Sequence, residues 1–388
     1  NYLKNESVVK MLKYAPDYLK IENRKKIFDL FVKEKELSRA EIVRRTDMSF
    51  PTASKAVDYL ISRNIVIEND LIPGKGGLGR KSRLLHFNTK SYYGAGVIFE
   101  GNFVEYGIVN LAGELVEFRI DDGIDIKDHD TIGKVADELN TMISKYGDKI
   151  LGVGVGLPGA VDPNKKIILN SNLIGVTDVP FEEAMSPFAD KIKLPIYVDN
   201  DVNLACGGEM YATAAVREND SLIYIYMGTG IGAGICVDGQ MLMGCTYRGG
   251  EFENSIISPI NADHKEILGQ KITLEAIKEH IGIDFSKENK LTDKEVDKAV
   301  NYLVPYLSVA IANMSLFIDI NDIVIAGVIP SQIGQKLYDG LNNSVNGLHP
   351  YDGWKVNIKG PSEEGNALIG GASLVFENTI LSENGKAN

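Results

Sequence analysis

Cysteine is scarce: the 388 residues hold three, Cys206, Cys236 and Cys245. So few, and an odd number, set up no disulfide framework and suit a reducing compartment. No apolar run approaches the roughly 18 residues that read as a membrane-spanning helix. The opening "NYLKNESVVK" lacks the apolar centre and small-residue cleavage site of a signal peptide, so a cytoplasmic protein is expected. Positive charge is scarce beyond the first quarter. In residues 1–90, 19 Lys and Arg stand against 11 Asp and Glu; in the remainder 22 stand against 42. A basic head on an acidic body implies that only the head meets a polyanion. With 44% hydrophobic and 24% charged residues, the chain has globular composition and length for two or three cores.

The stretch "IENRKKIFDLFVKEKELSRAEIVRRTDMSFPTASKAVDYLISRNIVIEND" predicts three helices and a strand. The first runs over about Glu22–Lys33, with Ile27, Leu30 and Phe31 on one face. Ser38 and Glu41 have capping-box spacing, so they mark the start of the second. The third opens at Ser49 with Pro51 in its first turn, and Ala53, Ala56, Val57, Leu60 and Ile61 form one buried stripe. Its other face carries Ser49, Thr52, Ser54, Lys55 and Tyr59, short polar groups suited to a DNA major groove. "LIPGKGGLGRKSRLLHFN" reads as a strand pair around a Gly-rich tip, with Lys75, Arg80, Lys81 and Arg83 placed for phosphates or a minor groove. The expectation is a winged helix-turn-helix DNA-binding domain over residues 1–88, preceded within residues 1–20 by an extra helix.

From Tyr92 the pattern changes to strands alternating with helices. "YYGAGVIF", "FVEYGIVN" and "LVEFRI" predict three strands, "HDTIGKVADELNTMISKYG" a helix, and "ILGVGVGLPGAVD" a buried strand entering a Gly-Pro-Gly turn. A second round follows: "SLIYIYM", "GAGICVD", "QMLMG", helices around 272–280 and 294–318, the strand "DIVIAG" and a closing helix "NALIGGASLVFE". Two such rounds imply two lobes around a cleft. The lobes are expected over residues 89–200 with 373–388, and over 201–372.

"GVGVGLPGAVD", "VDNDVNLACGGE", "MGTGIGAGI" and "RGGEFEN", in this order after such a head, resemble the ROK family of repressors and sugar kinases. The resemblance implies an α/β body with the two-lobed actin-like ATPase (ribonuclease H-like) fold and a sugar site deep in its cleft. It implies Gly159, Asn172, Asn200, Asp201, Glu251, Asn254 and Glu275 as sugar-binding residues, with Asp201 standing where the family's kinases keep a general base. Asn200 and Asp201 also suit a plain helix cap. Asn254 stands where the family has a histidine, and Glu253 where it has a glycine.

Two expected cofactors lack their parts. The family's structural zinc uses that histidine and a cysteine run, whereas "NSIISPINADHKEILGQKITLEAI" has no cysteine and only His264. No metal is expected. Of the ATP loops, Gly228, Thr229 and Gly230 are kept, though glycines there equally suit a tight turn. The kinases' Asp-x-Gly-Gly-Thr reads "IFEGN": Ile98 replaces the Asp, Glu100 a Gly and Asn102 the Thr. A carboxylate aimed at phosphates is repulsive. Gly228, Thr229 and Gly230 therefore read as a vestigial phosphate loop, with ATP not expected and no catalytic residue assigned.

The reading is a sugar-responsive transcription regulator, a repressor, that binds double-stranded operator DNA as a homodimer or tetramer, without a membrane partner. The alternative is an ATP-dependent sugar kinase with an accessory DNA-binding head; another is a regulator that answers to a partner protein.

Overall fold

The structure, a computed structural model, describes residues 16–69, 83–216, 219–258, 265–287, 290–348 and 353–381. The head begins with helix α1 (Pro16–Glu34), followed by strand β1 (Glu36–Ser38), α2 (Arg39–Thr46), α3 (Phe50–Ser62), β2 (Val66–Glu68) and β3 (Leu84–Phe87). Both halves of the Ser38–Glu41 capping box form, and the Ser49 hydroxyl accepts from the Thr52 amide at the start of α3. Ile27, Phe31, Ile42, Val57, Leu60 and Leu85 form the head's core. Between α2 and α3 the chain turns at Asp47, whose φ of 52° is left-handed.

Three details of the head differ from the sequence reading. Residues 16–20 belong to α1 itself rather than to a separate helix, and residues 1–15 lie outside the described residues. The three-residue β1 was not foreseen, being too short to show alternation; it pairs with β3 to make an antiparallel sheet in the order β1-β3-β2. Tyr59 turns away from the exposed face of α3. Its hydroxyl donates to the Ile380 carbonyl at 2.7 Å, and the Arg24 guanidinium lies 3.6 Å from its ring centre.

The first lobe is a five-stranded sheet in the order β11-β7-β4-β5-β6. β4 (Tyr93–Glu100), β5 (Phe103–Asn110) and β6 (Leu115–Asp122) form the antiparallel meander, while β7 (Ile150–Leu157) and β11 (Ile196–Asn200) join it in parallel. Helix α4 (His129–Ser144) buries Ile132, Val135, Ala136 and Leu139 against one face. A small sheet of β8 (Ala160–Asp162), β9 (Ile167–Asn170) and β10 (Val179–Pro180) follows β7.

The second lobe repeats the scheme. β12 (Leu222–Met227) pairs antiparallel with β13 (Ile231–Val237) and parallel with β15 (Asp322–Ala326); β14 (Gln240–Met241) and β16 (Asn357–Lys359) form the edges. Between the lobes lies α5 (Asp201–Ala212). The second lobe's helices include α6 (Leu274–Ile281), α7 (Asp293–Ile318) and α8 (Gln335–Leu348), and α9 (Asn366–Thr379) closes the body. By composition α7 is apolar enough to cross a membrane. Here it is part of a core, with Leu303, Leu307 and Ile311 fully buried.

Helices α5 and α9 cross almost backbone to backbone. A Cβ on Gly208 would stand 1.7 Å from the Asn366 carbonyl oxygen, and one on Gly370 1.8 Å from that of Leu204, so only glycine permits this crossing. On its other side α9 packs against the first lobe, with Leu368 and Ala372 over Gly96 and Gly94. The head's core runs without a break into Val109, Leu111, Ile369, Phe376 and Ile380 of this lobe.

Candidate functional site

A cavity of about 240 Å³ opens between the lobes. Gly159, Asn172, Asn200, Asp201 and Glu251 line it, together with Thr229 and Gly230 of the glycine-rich turn. These seven residues come from both lobes, and the fold gathers them by ending β7, β11 and β12 at one place.

β7 runs into Pro158 and Gly159. At Gly159 the φ is +104° and a Cβ would meet the Asn170 carbonyl oxygen at 2.2 Å, so glycine is required on both counts. Asn200 ends β11 and caps α5. Its Oδ1 accepts from the Asn203 amide at 3.0 Å, and its Nδ2 donates to the Gly159 carbonyl and to Asp201 Oδ1, both at 2.9 Å. The capping role and the place in the cavity therefore coexist in one side chain. Asp201 Oδ1 also accepts from the Val202 amide at 2.9 Å. Burial pushes the Asp201 carboxyl up to about 7 against the opposing hydrogen bonds, with a smaller push from Asp199. Asp199 itself is raised to about 6, again chiefly by burial.

On the second lobe, Gly228, Thr229 and Gly230 make the turn between β12 and β13, closed by the Gly228 amide donating to the Gly230 carbonyl at 3.0 Å. The Ala233 amide on β13 donates to the Gly250 carbonyl at 2.8 Å, which seats Glu251 beside the cavity. Glu251 is exposed and accepts from Asn254 Nδ2 at 3.2 Å. Asn254 therefore adjoins the site through Glu251 without lining the cavity. Glu275 is not brought in: it sits exposed in the first turn of α6, whose cap is Thr273. Its inclusion rested on an ordered motif, and the helix turns that position outward.

Glu100, read from the sequence only as a lost glycine, is a lining residue with a partner. It ends β4, and the Tyr226 hydroxyl of β12 donates to its Oε2 at 2.5 Å. Burial first, then the charge of Asp201, raises the Glu100 carboxyl to about 8, opposed by the Tyr226 bond. Next to it Gly101 lies against Thr229 of the opposite lobe. Ile98 is fully buried between the sheet and Leu204. Asn170, Asn203, Tyr247 and Glu253 also line the cavity. Alternation along "YIYM" was the available signal for Tyr226: β12 is otherwise buried, and its tyrosines fall on one face with polar tips.

On the head, Ser49, Thr52, Ser54 and Lys55 fall together in the first turns of α3. Lys55 is exposed, whereas the Ser49 and Thr52 hydroxyls bond each other at 2.8 Å. The Ser54 carbonyl accepts from Arg39, which also pairs with Asp58 and Glu68 and so fixes α3 to the strands. Lys75, Arg80 and Lys81 lie outside the described residues, as does His264. Among the described residues no group of three or more His, Cys, Asp or Glu is placed to hold a metal ion.

Among known proteins, a glucokinase of Halalkalibacterium halodurans is 28% identical over 279 residues, covering 62% of this chain and 82% of its own. The xylose repressor of Bacillus subtilis is 24% identical over 245 residues, covering 62% of each chain. This chain thus spans under two thirds of that repressor's length. Among solved structures, a ROK family transcriptional regulator, a homologue of the E. coli Mlc protein, superposes with a TM-score of 0.71 at 19% identity. It covers 94% of this chain and 97% of its own. That likeness shows the fold: the body is the actin-like, two-lobed sugar-kinase type. Residues 94–253, from the second residue of β4 to the loop beside Glu251, match the ROK family itself. Over that stretch, under half of its length, the chain is similar to the ROK family.

Proposed function

We propose that this chain is a sugar-responsive, DNA-binding transcription regulator, a repressor whose hold on its operator changes when a sugar enters the cavity between the lobes. The observation that carries this reading is the Asn200–Asp201 pair. It brings an amide and a carboxylate to a cavity of about 240 Å³ from the cap and first residue of α5. Gly159, Asn172 and Glu251 add a carbonyl, an amide and a second carboxylate, and convergent donors and acceptors of this kind fix the orientation of a hydroxylated ring. The xylose repressor among the relatives supports the sugar and the repressor role.

The head acts as a winged helix-turn-helix. α3 presents Lys55 and its N-terminal turn to a major groove, and the charges of Lys75, Arg80 and Lys81 add contacts to phosphates or a minor groove. A homodimer places two such helices on a palindromic site, and the protein works in the cytoplasm. Calorimetry of the whole chain against free aldohexoses and aldopentoses tests the site. A measurable heat that Asp201→Ala abolishes supports the reading; no heat with any sugar sinks it.

We do not assign a phosphoryl-transfer activity. The Glu100–Tyr226 bond and the Gly101–Thr229 contact join the lobes at the cavity wall, and Ile98, read as standing where the kinases keep an Asp, is buried. One observation favours the kinase alternative: Asp201, raised to about 7, suits a general base. The glucokinase relative points the same way. Sugar-dependent ADP release that disappears in Asp201→Ala would establish the kinase.

A further inference from the structure

Helix α1 lies against the body and touches both lobes. Its bond to the first lobe is extensive. The head's core merges with Ile369, Phe376 and Ile380, Tyr59 holds the Ile380 carbonyl, Arg24 Nη1 reaches the Leu381 carbonyl at 3.4 Å, and Lys25 pairs with Glu377 of α9. Toward the second lobe the same helix sends Lys33, whose Nζ lies 3.1 Å from Asp220 Oδ1. Asp220 stands two residues before β12 and is held to that lobe: its carbonyl accepts from the Gly239 amide at 2.6 Å, in the turn between β13 and β14.

Lys25 and Lys33 are eight residues apart on one helix, a fixed spacing of about 12 Å along its axis. Their partners stand on different lobes. A rigid rod fastened at two points to two bodies holds both fastenings at one angle between them. Between the rod and the body is a cleft of about 730 Å³, lined among others by Asp29, Asp199, Asn203 and Asp238. Asn203, which lines this cleft, also lines the sugar cavity, so one side chain of α5 borders both.

We propose that the Lys33–Asp220 ion pair regulates the sugar site by favouring the lobe angle seen here, so that a sugar which draws the lobes together works against it and loosens the head from the second lobe. Glu251, exposed at the cavity's edge, is the carboxylate such closure would bring onto the sugar. The coupling is reciprocal: whatever the pair does to closure, closure does to the pair. The proposal rests on the sugar-site reading above and adds the residues through which that site and the head communicate.

The test is calorimetric affinity for free D-xylose and D-glucose in the whole chain, for Lys33→Met, Asp220→Asn, the double variant, and the charge swap Lys33→Asp with Asp220→Lys. Each single variant is expected to bind sugar about two- to fivefold more tightly, the range of a half-exposed ion pair. The double variant should gain no more than either single one, and the swap should return toward the parent. Unchanged affinity in either single variant, or gains that simply add, would overturn the proposal and leave the sugar site standing. A parent chain that binds neither sugar, nor any other aldose, removes the sugar-site reading and this coupling with it.

Discussion

Tyr226 on β12 donates its hydroxyl to Glu100 at the end of β4, a 2.5 Å bond between residues 126 positions apart that ties one lobe to the other beside the cavity. The bond holds a carboxyl at the cavity wall, at a position that the sequence reading compared with a glycine. Its acidic partner is raised to about 8, so near neutral pH the group is largely a neutral carboxyl.

That carboxyl is one of several whose titration sets how stability varies with pH. Glu100 at about 8, Asp201 and Glu105 at about 7, and Asp199 and Asp29 at about 6 all lie above their ordinary values, each chiefly through burial. Between about pH 4 and 8 the folded chain keeps protons that the unfolded chain has shed, so stability falls as pH rises through that window. Melting temperature is expected to decline from pH 5 to pH 8.5, and less steeply in Glu100→Gln. A flat or rising profile in the parent would contradict these assignments.

Asn200 performs two tasks that substitution can separate. Asn200→Ser keeps an oxygen to cap α5 but loses the amide that donates to Gly159 and Asp201. Its stability should remain near the parent's while sugar affinity falls at least tenfold in calorimetry. Asn200→Ala should lose about 1 kcal/mol of stability as well. Equal sugar affinity in Asn200→Ser and the parent would show that Asn200 serves the cap alone and that its amide nitrogen plays no part in binding.

On α3 the structure divides two neighbours that the sequence placed on one face. Lys55→Ala should weaken DNA binding and lower the salt slope by about one, read by fluorescence anisotropy at several salt concentrations. Tyr59→Phe should leave DNA affinity unchanged yet lower stability by about 1 kcal/mol, the loss of its bond to Ile380. A DNA defect in Tyr59→Phe at full stability would reverse this division.

Gly208→Ala places a methyl 1.7 Å from a main-chain oxygen, where no flexible side chain is available to yield. A loss of several kcal/mol in denaturant unfolding is expected, well beyond the roughly 1 kcal/mol typical of point substitutions. A mild effect would mean that α5 and α9 separate readily.

What the sequence revealed was what local chemistry determines. The Ser38–Glu41 box and the Ser49 cap with Pro51 each involve groups within three residues of one another, and both helix starts were placed correctly. Asn200 and Asp201 were legible because strand, cap and cavity meet at consecutive positions. Glu100 was not: its meaning depends on a tyrosine in the other lobe, and one-dimensional spacing carries no trace of that pairing. Glu275 is the opposite case: an ordered motif placed it in the site, and it stands exposed in the first turn of α6, outside the residues that line the cavity. Strand β1 was missed because three residues are too few to show a period.

Helix α5 begins at Asp201 in the cavity. Toward its far end the Tyr211 hydroxyl donates to the Leu111 carbonyl, and the Tyr211 ring lies 6.5 Å from that of Phe376, within the core that the head shares. Twelve helical residues span about 18 Å without a break. A push at one end of such a rod arrives at the other as displacement, with no relay of side-chain rearrangements in between. The two ends are then separated by length alone: moving the end in the cavity by a fraction of an ångström shifts the seat of the head in the same motion.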